Sequence, residues 1–252
     1  MPADLRKLPP EIAEQFEIQT GHCARMGSPL TAAICDSIAQ NGLPAGPVFE
    51  RLSKWSQTGT LEGDVIALRL TGALHRLVLD SLDAGLANQY PPNALNKDAL
   101  FAAVCASVTE HSSIIDEYLN SPPQTNEVGR SAILLPALLQ LTDKHQLQFD
   151  LFELGASAGL NQGLRHFSYD YGAWHWGDGV SPVQLACEWR GTLPAVTRSP
   201  IEIASAVGCD IAPVEIRTEE QRRRLTSYVW ADQSERLSRL RGAMSIAQSY
   251  PP

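Results

Sequence analysis

The sequence predicts an α/β protein in which a helical N-terminal domain, residues 1–145, precedes an incomplete Rossmann-like unit, residues 146–252. Two observations support this division. Apolar residues recur at three- and four-residue spacing as far as Lys144, which is typical of amphipathic helices. A short apolar run then begins at Phe149 and ends in a glycine-bearing turn, as a buried strand leading into a helix does.

Five helices are predicted in the first domain from the spacing of their apolar residues. They cover Ser28 to Gly42, Pro47 to Trp55, Leu61 to Leu82, Asn96 to Leu119, and a segment from Thr125 through Leu141. Ser28 is expected to cap the first helix, because Pro29 stands at its first position and Gly42 at its end. Pro136 is expected to kink the last helix.

The second domain alternates predicted strands and helices. The predicted strands are Phe149 to Leu154, Phe167 to Tyr171, Val183 to Trp189 and Ile201 to Ala206. Thr218 is expected to cap a helix from Glu219 to Tyr228, and Asp232 or Ser234 is expected to open a last helix that ends at Ala247.

Composition excludes several classes of function. The chain carries 28 acidic and 20 basic side chains, a net charge of −8, which repels nucleic-acid phosphates and anionic lipid. No apolar run spans a bilayer and no signal-peptide core opens the chain, so a cytoplasmic protein is predicted. The five cysteines are widely spaced, which predicts reduced and mostly buried thiols.

The turn after the first strand of the second domain carries the functional signal. Glu153 to Asn161 reads ELGASAGLN, with small residues at Gly155, Ser157 and Gly159. A strand that turns sharply into a helix needs small residues at such positions if its backbone N–H groups are to approach a ligand. The exposed N-terminus of the following helix would then favour an electron-rich partner.

This turn resembles the first motif of S-adenosylmethionine-dependent methyltransferases, in which an acidic and an apolar residue precede G-x-G-x-G. Glu153 stands at the acidic position, and Ser157 replaces the middle glycine. In that superfamily the turn lies against the amino-acid and ribose parts of the cofactor. The resemblance implies the same role here and a methyltransferase-type fold for the second domain.

Two other interpretations of the turn stay open. Gly155 to Gly159 also matches the G-x-S-x-G nucleophile elbow of α/β-hydrolases, in which Ser157 would be the nucleophile. That interpretation has few partners available, because only His166 and His175 follow Ser157, with Asp170 the one acid between Ser157 and either of them. The third interpretation is a glycine-rich turn that packs a helix and binds nothing.

Five sequence blocks, taken in order, resemble one family. They are PQTNEVGRS (Pro123 to Ser131), ELGASAGLN (Glu153 to Asn161), YDYG (Tyr169 to Gly172), CEWRG (Cys187 to Gly191) and VWADQSERLSRL (Val229 to Leu240). From about Arg51 onward the chain resembles the uncharacterised bacterial domain-of-unknown-function family two-three-three-two. The resemblance implies a bacterial cytoplasmic protein with a methyltransferase-like half. Members of that family continue beyond the point corresponding to Pro252, so the later strands of the sheet are expected to be absent.

Two further residues are predicted to join the cofactor site. Arg130 could reach a ligand carboxylate through its guanidinium, although the polar cluster before it, Gln124 to Glu127, also reads as a helix cap. Asp170 is predicted to hold the ribose hydroxyls, by analogy with the acid that follows the second strand of dinucleotide-binding folds. The predicted cofactor-binding residues are Glu153, Gly155, Ala156, Ser157, Gly159, Asn161, Asp170 and Arg130; no catalytic residue and no metal site is assigned.

The leading functional hypothesis is methyl transfer from S-adenosylmethionine by in-line attack of a substrate nucleophile. A serine hydrolase using Ser157 and a non-catalytic helical interaction module are the alternatives. Because an open strand exposes unpaired N–H and C=O groups, Leu151 to Leu154 must be covered by the helical domain, by the Val183 to Trp189 strand or by a second copy. Self-association is therefore expected.

Overall fold

A computed structural model describes residues 4–57, 61–192 and 200–250 of the chain. These residues form a mixed α/β structure, as the sequence predicts. The chain separates into two compact units, Met1–Pro123 with Ser227–Ser234, and Gln124–Thr226 with Glu235–Pro252. The division thus falls after residue 123 and not at 145, because the helix Ser131–His145 packs within the second unit, where the Ala132 carbonyl accepts a hydrogen bond from the Tyr171 hydroxyl.

The described residues contain the following helices and strands. The helices are α1 (Pro10–Arg25), α2 (Pro29–Asn41), α3 (Pro47–Ser53), α4 (Leu61–Asp64), α5 (Ile66–Leu79), α6 (Ala84–Ala87), α7 (Lys97–Glu110), α8 (Ser112–Leu119), α9 (Ser131–His145), α10 (Glu219–Ser227) and α11 (Ser234–Ser249). Trp55–Gln57, Val128–Arg130 and Leu160–His166 are 3₁₀ helices. The strands are β1 (Leu5–Arg6), β2 (Leu43–Pro44), β3 (Phe149–Leu154), β4 (Ser168–Asp170), β5 (His175–Trp176), β6 (Gln184–Ala186) and β7 (Ile203–Cys209).

The first unit is helical and buries one apolar core, to which α1, α2, α5, α7 and α8 contribute. The sequence did not predict α1, although Ile12, Phe16 and Cys23 recur at helical spacing and are fully buried. None of the described helices is long and apolar enough to cross a membrane.

Two long helices predicted in this unit are interrupted. The helix predicted from Leu61 to Leu82 breaks at Val65, which has a left-handed φ of 48° between α4 and α5. The helix predicted from Asn96 to Leu119 breaks at His111, between α7 and α8. Asn96 caps α7, since its Oδ1 accepts the Ala99 N–H at 3.1 Å.

The N-terminus of α2 is capped from a distant part of the chain. Pro29 and Gly42 bound this helix as predicted, but the Ser28 side chain makes no capping bond to it. The Asp232 carboxylate instead accepts the Leu30 N–H at 2.8 Å and the Ser28 hydroxyl at 2.6 Å. Asp232 therefore satisfies a free N–H of the first turn and supplies the negative charge that a helix N-terminus favours.

The second unit contains two small sheets. Strands β3 and β7 pair in parallel, with Leu151 opposite Ala206 and Leu154 opposite Cys209. The other sheet has β4 at its centre, paired with β5 on one side and β6 on the other. The predicted strand Val183 to Trp189 is therefore shorter, as β6, and lies beside β4 and not beside β3.

The remaining helices of this unit begin near their predicted positions. The segment from Thr125 enters a 3₁₀ turn at Val128 before α9 begins at Ser131, and Pro136 lies inside α9. The Thr218 hydroxyl accepts the Gln221 N–H at 3.2 Å and so caps α10 as predicted. The last helix begins at Ser234, one of its two predicted starts.

Candidate functional site

The candidate site lies where β3 and β7 end. Because the two strands are parallel, their carboxyl ends meet at one edge of the sheet, where open α/β sheets bind ligands. The turn Gly155 to Gly159, called the glycine turn below, follows β3, and Asp210 directly follows β7. The fold thus brings a turn predicted from the sequence beside an acid that was not predicted.

Every second residue of the turn has a left-handed backbone conformation, as the spacing of its small residues suggests. Gly155, Ser157 and Gly159 have φ values of 69°, 52° and 68°, all in the left-handed region. A side chain at such a φ costs roughly 1–2 kcal/mol, which explains why glycine or a small residue stands at each position. Ser157 is the one member of the three that carries this strain.

Five N–H groups in and next to the turn are bonded to acceptors within the unit. Gly155 and Ala156 donate to the Cys209 carbonyl at 2.9 and 3.1 Å, Ser157 to Asp210 Oδ2 at 2.8 Å, Gly159 to the Ala156 carbonyl at 2.8 Å, and Leu160 to Asn126 Oδ1 at 3.0 Å. The expected exposed helix N-terminus is therefore not formed. The following helix is a 3₁₀ helix of seven residues, and it does not offer an electron-rich ligand the cradle of free N–H groups that the sequence suggested.

Buried oxygen atoms around the turn lack partners instead. Four of them have no hydrogen-bond partner among the described residues: Glu153 Oε2, Ser157 Oγ, Asn161 Oδ1 and Gln162 Oε1. Glu153 and Asn161 face each other, since Asn161 Nδ2 donates to Glu153 Oε1 at 3.2 Å. Each unpaired buried acceptor costs about 1–3 kcal/mol, so a group of them indicates a place built to receive hydrogen-bond donors.

A cleft of about 380 Å³ opens between the turn and β7. Its lining includes Ser157, Gln162, Gly208 and Asp210, whereas Glu153 and Asn161 do not line it. Gly208 permits the close approach of the two walls, because a Cβ there would lie 2.3 Å from Gln162 Nε2 and 2.7 Å from the Ala156 Cβ. The volume is within the range of small-molecule sites.

Asp210 is the residue that sequence reasoning missed. Its Oδ1 accepts the Ala212 N–H at 2.9 Å while Oδ2 accepts that of Ser157, and these two bonds, in that order, lower the pKa of the carboxyl below its ordinary value. It was missed because the acid was sought about 20 residues after the turn, as in dinucleotide folds. Ser157 and Asp210 are 53 positions apart. The available signal was an acid directly after the strand that begins near Ile201.

Asp170 lies in the other sheet, on β4, and its hydrogen-bond partners are not residues of the glycine turn. Its Oδ1 accepts the Gly172 N–H at 2.7 Å and lies 2.9 Å from His175 Nε2. The Gly172 N–H, and then His175, lower the pKa of the Asp170 carboxyl. Arg130 is exposed at the end of its 3₁₀ turn, and within the same sequence block Asn126 is the residue that reaches the glycine turn.

Neither downstream histidine bonds to Ser157. His166 Nε2 accepts the Arg165 Nε–H at 3.1 Å and its ring stacks on Tyr250 with centroids 4.2 Å apart. Burial, and then the charge of Arg165, lower the pKa of His166, which favours its neutral form. His175 is bound to Asp170. In the described parts of the chain, Ser157 Oγ therefore has no general base.

A family model described as an uncharacterized protein conserved in bacteria, DUF2332, matches residues 13–252 of the chain. No curated protein and no solved structure matches the chain significantly.

Proposed function

Because the chain belongs to the DUF2332 family of bacterial proteins, whose description names no activity, we propose a function from the site alone. The second unit is a Rossmann-like unit of the methyltransferase type that binds S-adenosylmethionine at the glycine turn. Two features support the Rossmann-like part: β3 and β7 are parallel, and the candidate site follows their carboxyl ends.

The observation that carries the proposal is the set of unpaired acceptors around the turn. Glu153, Ser157, Asn161 and Gln162 each present a buried oxygen without a partner among the described residues. Ser157 and Gln162 line the cleft, where Asp210 adds a carboxylate to that of Glu153. Such a site favours a ligand with several N–H or O–H donors and a positive charge. S-adenosylmethionine has an ammonium group, a sulfonium and two ribose hydroxyls, so the residues present fit it.

The acceptors and carboxylates of this site disfavour a phosphate-bearing nucleotide. Phosphate sites use free backbone N–H groups, whereas Gly155, Ala156, Ser157 and Leu160 donate theirs to Cys209, Asp210 and Asn126. A phosphate placed there would also approach the carboxylates of Glu153 and Asp210, which repel it.

We assign the ribose hydroxyls to Asp210, the role that sequence analysis predicts for Asp170. Glu153 and Asn161 would hold the ammonium group, and Gln162 and Ser157 would accept the remaining donors. When bound, the cofactor supplies an electrophilic methyl group. The side chains named here bind and orient, and their contribution to rate is the placement of the reacting groups. No residue is assigned as catalytic.

Isothermal titration calorimetry tests the proposal. S-adenosylhomocysteine is expected to bind, while NAD⁺ and ATP at the same concentrations are not. Asp210→Asn is expected to weaken binding about tenfold, because an amide replaces a charged acceptor. Asp170→Asn is the matched control and should leave affinity unchanged. Absence of binding at millimolar ligand would overturn the proposal and favour the non-catalytic interpretation.

One observation favours the serine-hydrolase alternative: Ser157 has the left-handed φ and the strand–turn–helix setting of a nucleophile elbow. The environment of its hydroxyl opposes it, since neither His166 nor His175 bonds to that oxygen. A fluorophosphonate probe is expected to leave Ser157 unlabelled, and stoichiometric labelling that is lost in Ser157→Ala would make the hydrolase the better proposal.

A further inference from the structure

One face of the β3–β7 sheet is apolar and exposed. In the parallel register Phe152 lies opposite Val207 and Leu154 opposite Cys209, so these four side chains point to the same face. Phe152 is 76 % exposed, Leu154 85 % and Val207 55 %, and Ile211 just beyond β7 is fully exposed. We call these residues, Phe152, Leu154, Val207, Cys209 and Ile211, the apolar face.

The opposite face of the same sheet is covered. Gly208 packs against Gln162 and Ala156, and the side chains of Leu151 and Glu153 are partly buried. Parallel sheets in proteins are normally covered on both faces, because their strands are apolar on both sides. An exposed parallel sheet with Phe and Leu at its surface is therefore a surface that binds something.

We propose that a second copy of this chain covers the apolar face in solution. Its four large aliphatic and aromatic side chains present on the order of 400 Å² of apolar surface. Since interfaces are roughly 60 % apolar, a contact centred on them would bury about 700 Å² per copy, close to the ~800 Å² per partner of a stable complex. A two-fold contact covers this face on both copies at once.

Charge sets the expected salt dependence of this contact. The chain has a net charge of −8, and Asp150 precedes Phe152 by two positions, so it lies on the same face of β3. Two copies therefore repel each other at low salt, and association through apolar side chains should strengthen as salt screens that repulsion. A cationic partner would show the opposite dependence.

Sedimentation velocity tests the proposal. The wild-type chain is expected to dimerise in the micromolar range and more tightly at 0.5 M than at 0.05 M NaCl. Ile211→Asp and Leu154→Asp should each weaken dimerisation at least tenfold. Ile211 is fully exposed, so its replacement cannot unfold the protein by removing packing. Val180→Asp is the matched control, because Val180 is as exposed as Leu154, at 85 %, and lies off the apolar face; it should leave dimerisation unchanged.

Cross-linking at Cys209 tests the same contact by a second method. It is an exposed cysteine on the apolar face, whereas Cys23, Cys35 and Cys105 are buried. A short bismaleimide should cross-link two copies through Cys209, and Cys209→Ser should prevent this. A wild-type chain that stays monomeric up to 100 μM, or a dimer that survives Ile211→Asp without cross-linking at Cys209, would overturn the proposal. The test needs no cofactor, so its outcome is separate from that of S-adenosylhomocysteine binding.

Discussion

Ser157→Gly is expected to make the protein more stable while weakening its ligand site. Ser157 has a left-handed φ of 52°, and its buried hydroxyl has no partner among the described residues. Both features are unfavourable in the ligand-free protein. Both are removed by glycine, which also restores the G-x-G-x-G pattern of the turn.

The size of the effect follows from three contributions. Release of the left-handed strain stabilises the fold by roughly 1–2 kcal/mol. The larger backbone entropy of glycine in the unfolded chain opposes this by roughly 0.5–1 kcal/mol. Removal of an unpaired buried hydroxyl adds about 1 kcal/mol. The free energy of unfolding should therefore rise by about 1–2 kcal/mol, and Ser157→Ala, which keeps the φ, should gain only about 1 kcal/mol.

Urea unfolding followed by circular dichroism measures this change as a shift in midpoint at constant slope. In calorimetry, Ser157→Gly should bind S-adenosylhomocysteine about threefold to tenfold more weakly, because one hydrogen bond to the ligand is lost. If Ser157→Gly instead lost 1 kcal/mol or more of stability, the hydroxyl would have to bond within the protein. Ser157 Oγ would then not be a free acceptor for the ligand.

Three further predictions concern other contacts of the fold. Gly208→Ala should displace Gln162, since the new Cβ would lie 2.3 Å from Gln162 Nε2. The free energy of unfolding in urea should fall by about 1–3 kcal/mol, and the affinity for S-adenosylhomocysteine should fall at least tenfold. An unchanged affinity would contradict the assigned cleft. Asp232→Ala removes the acceptor of the Leu30 N–H and should destabilise the protein by about 1–2 kcal/mol in the same assay, with no change in S-adenosylhomocysteine binding. The folded-state pKa of Asp210 is lowered by backbone hydrogen bonds, so its contribution to stability is present above its ordinary value of 3.8 and is lost as pH falls below it. Thermal unfolding between pH 6 and 2.5 should show a shallower acid dependence for Asp210→Asn than for the wild type, and identical profiles would contradict this.

Elements with local signals were predictable from the sequence. The bounds of α2 follow from Pro29 and Gly42, and the start of α7 from the side chain of Asn96. The break at Val65 carries no such signal, because a β-branched residue rarely adopts a left-handed φ unless its surroundings impose it. The cap of α2 was assigned to Ser28 for the same reason, since sequence spacing cannot reveal an acceptor 202 positions away.

The candidate site was predictable in part. The motif located Glu153, Gly155, Ser157, Gly159 and Asn161, which lie at the end of β3, in the turn and at the start of the following 3₁₀ helix. It did not reveal that the N–H groups of Gly155, Ala156, Ser157 and Leu160 are already bonded, because their acceptors come from elsewhere in the chain. The strand that supplies Asp210 is separated from the turn by an inserted three-stranded sheet, and a spacing rule taken from uninterrupted folds therefore pointed to Asp170.

That inserted sheet also bears on how the site forms. The β3–β7 ladder joins residues more than 50 positions apart, as the bond between Ser157 and Asp210 shows, whereas α1 and α2 are consecutive along the chain. Closing a loop of that length is entropically slower than docking neighbouring helices, so the ladder raises the contact order of the second unit. We expect the strand pair to assemble after the helices of the first unit. The free energy of local opening should then be low for the amide protons of β3 and β7. Hydrogen exchange in these two strands should slow when ligand is bound.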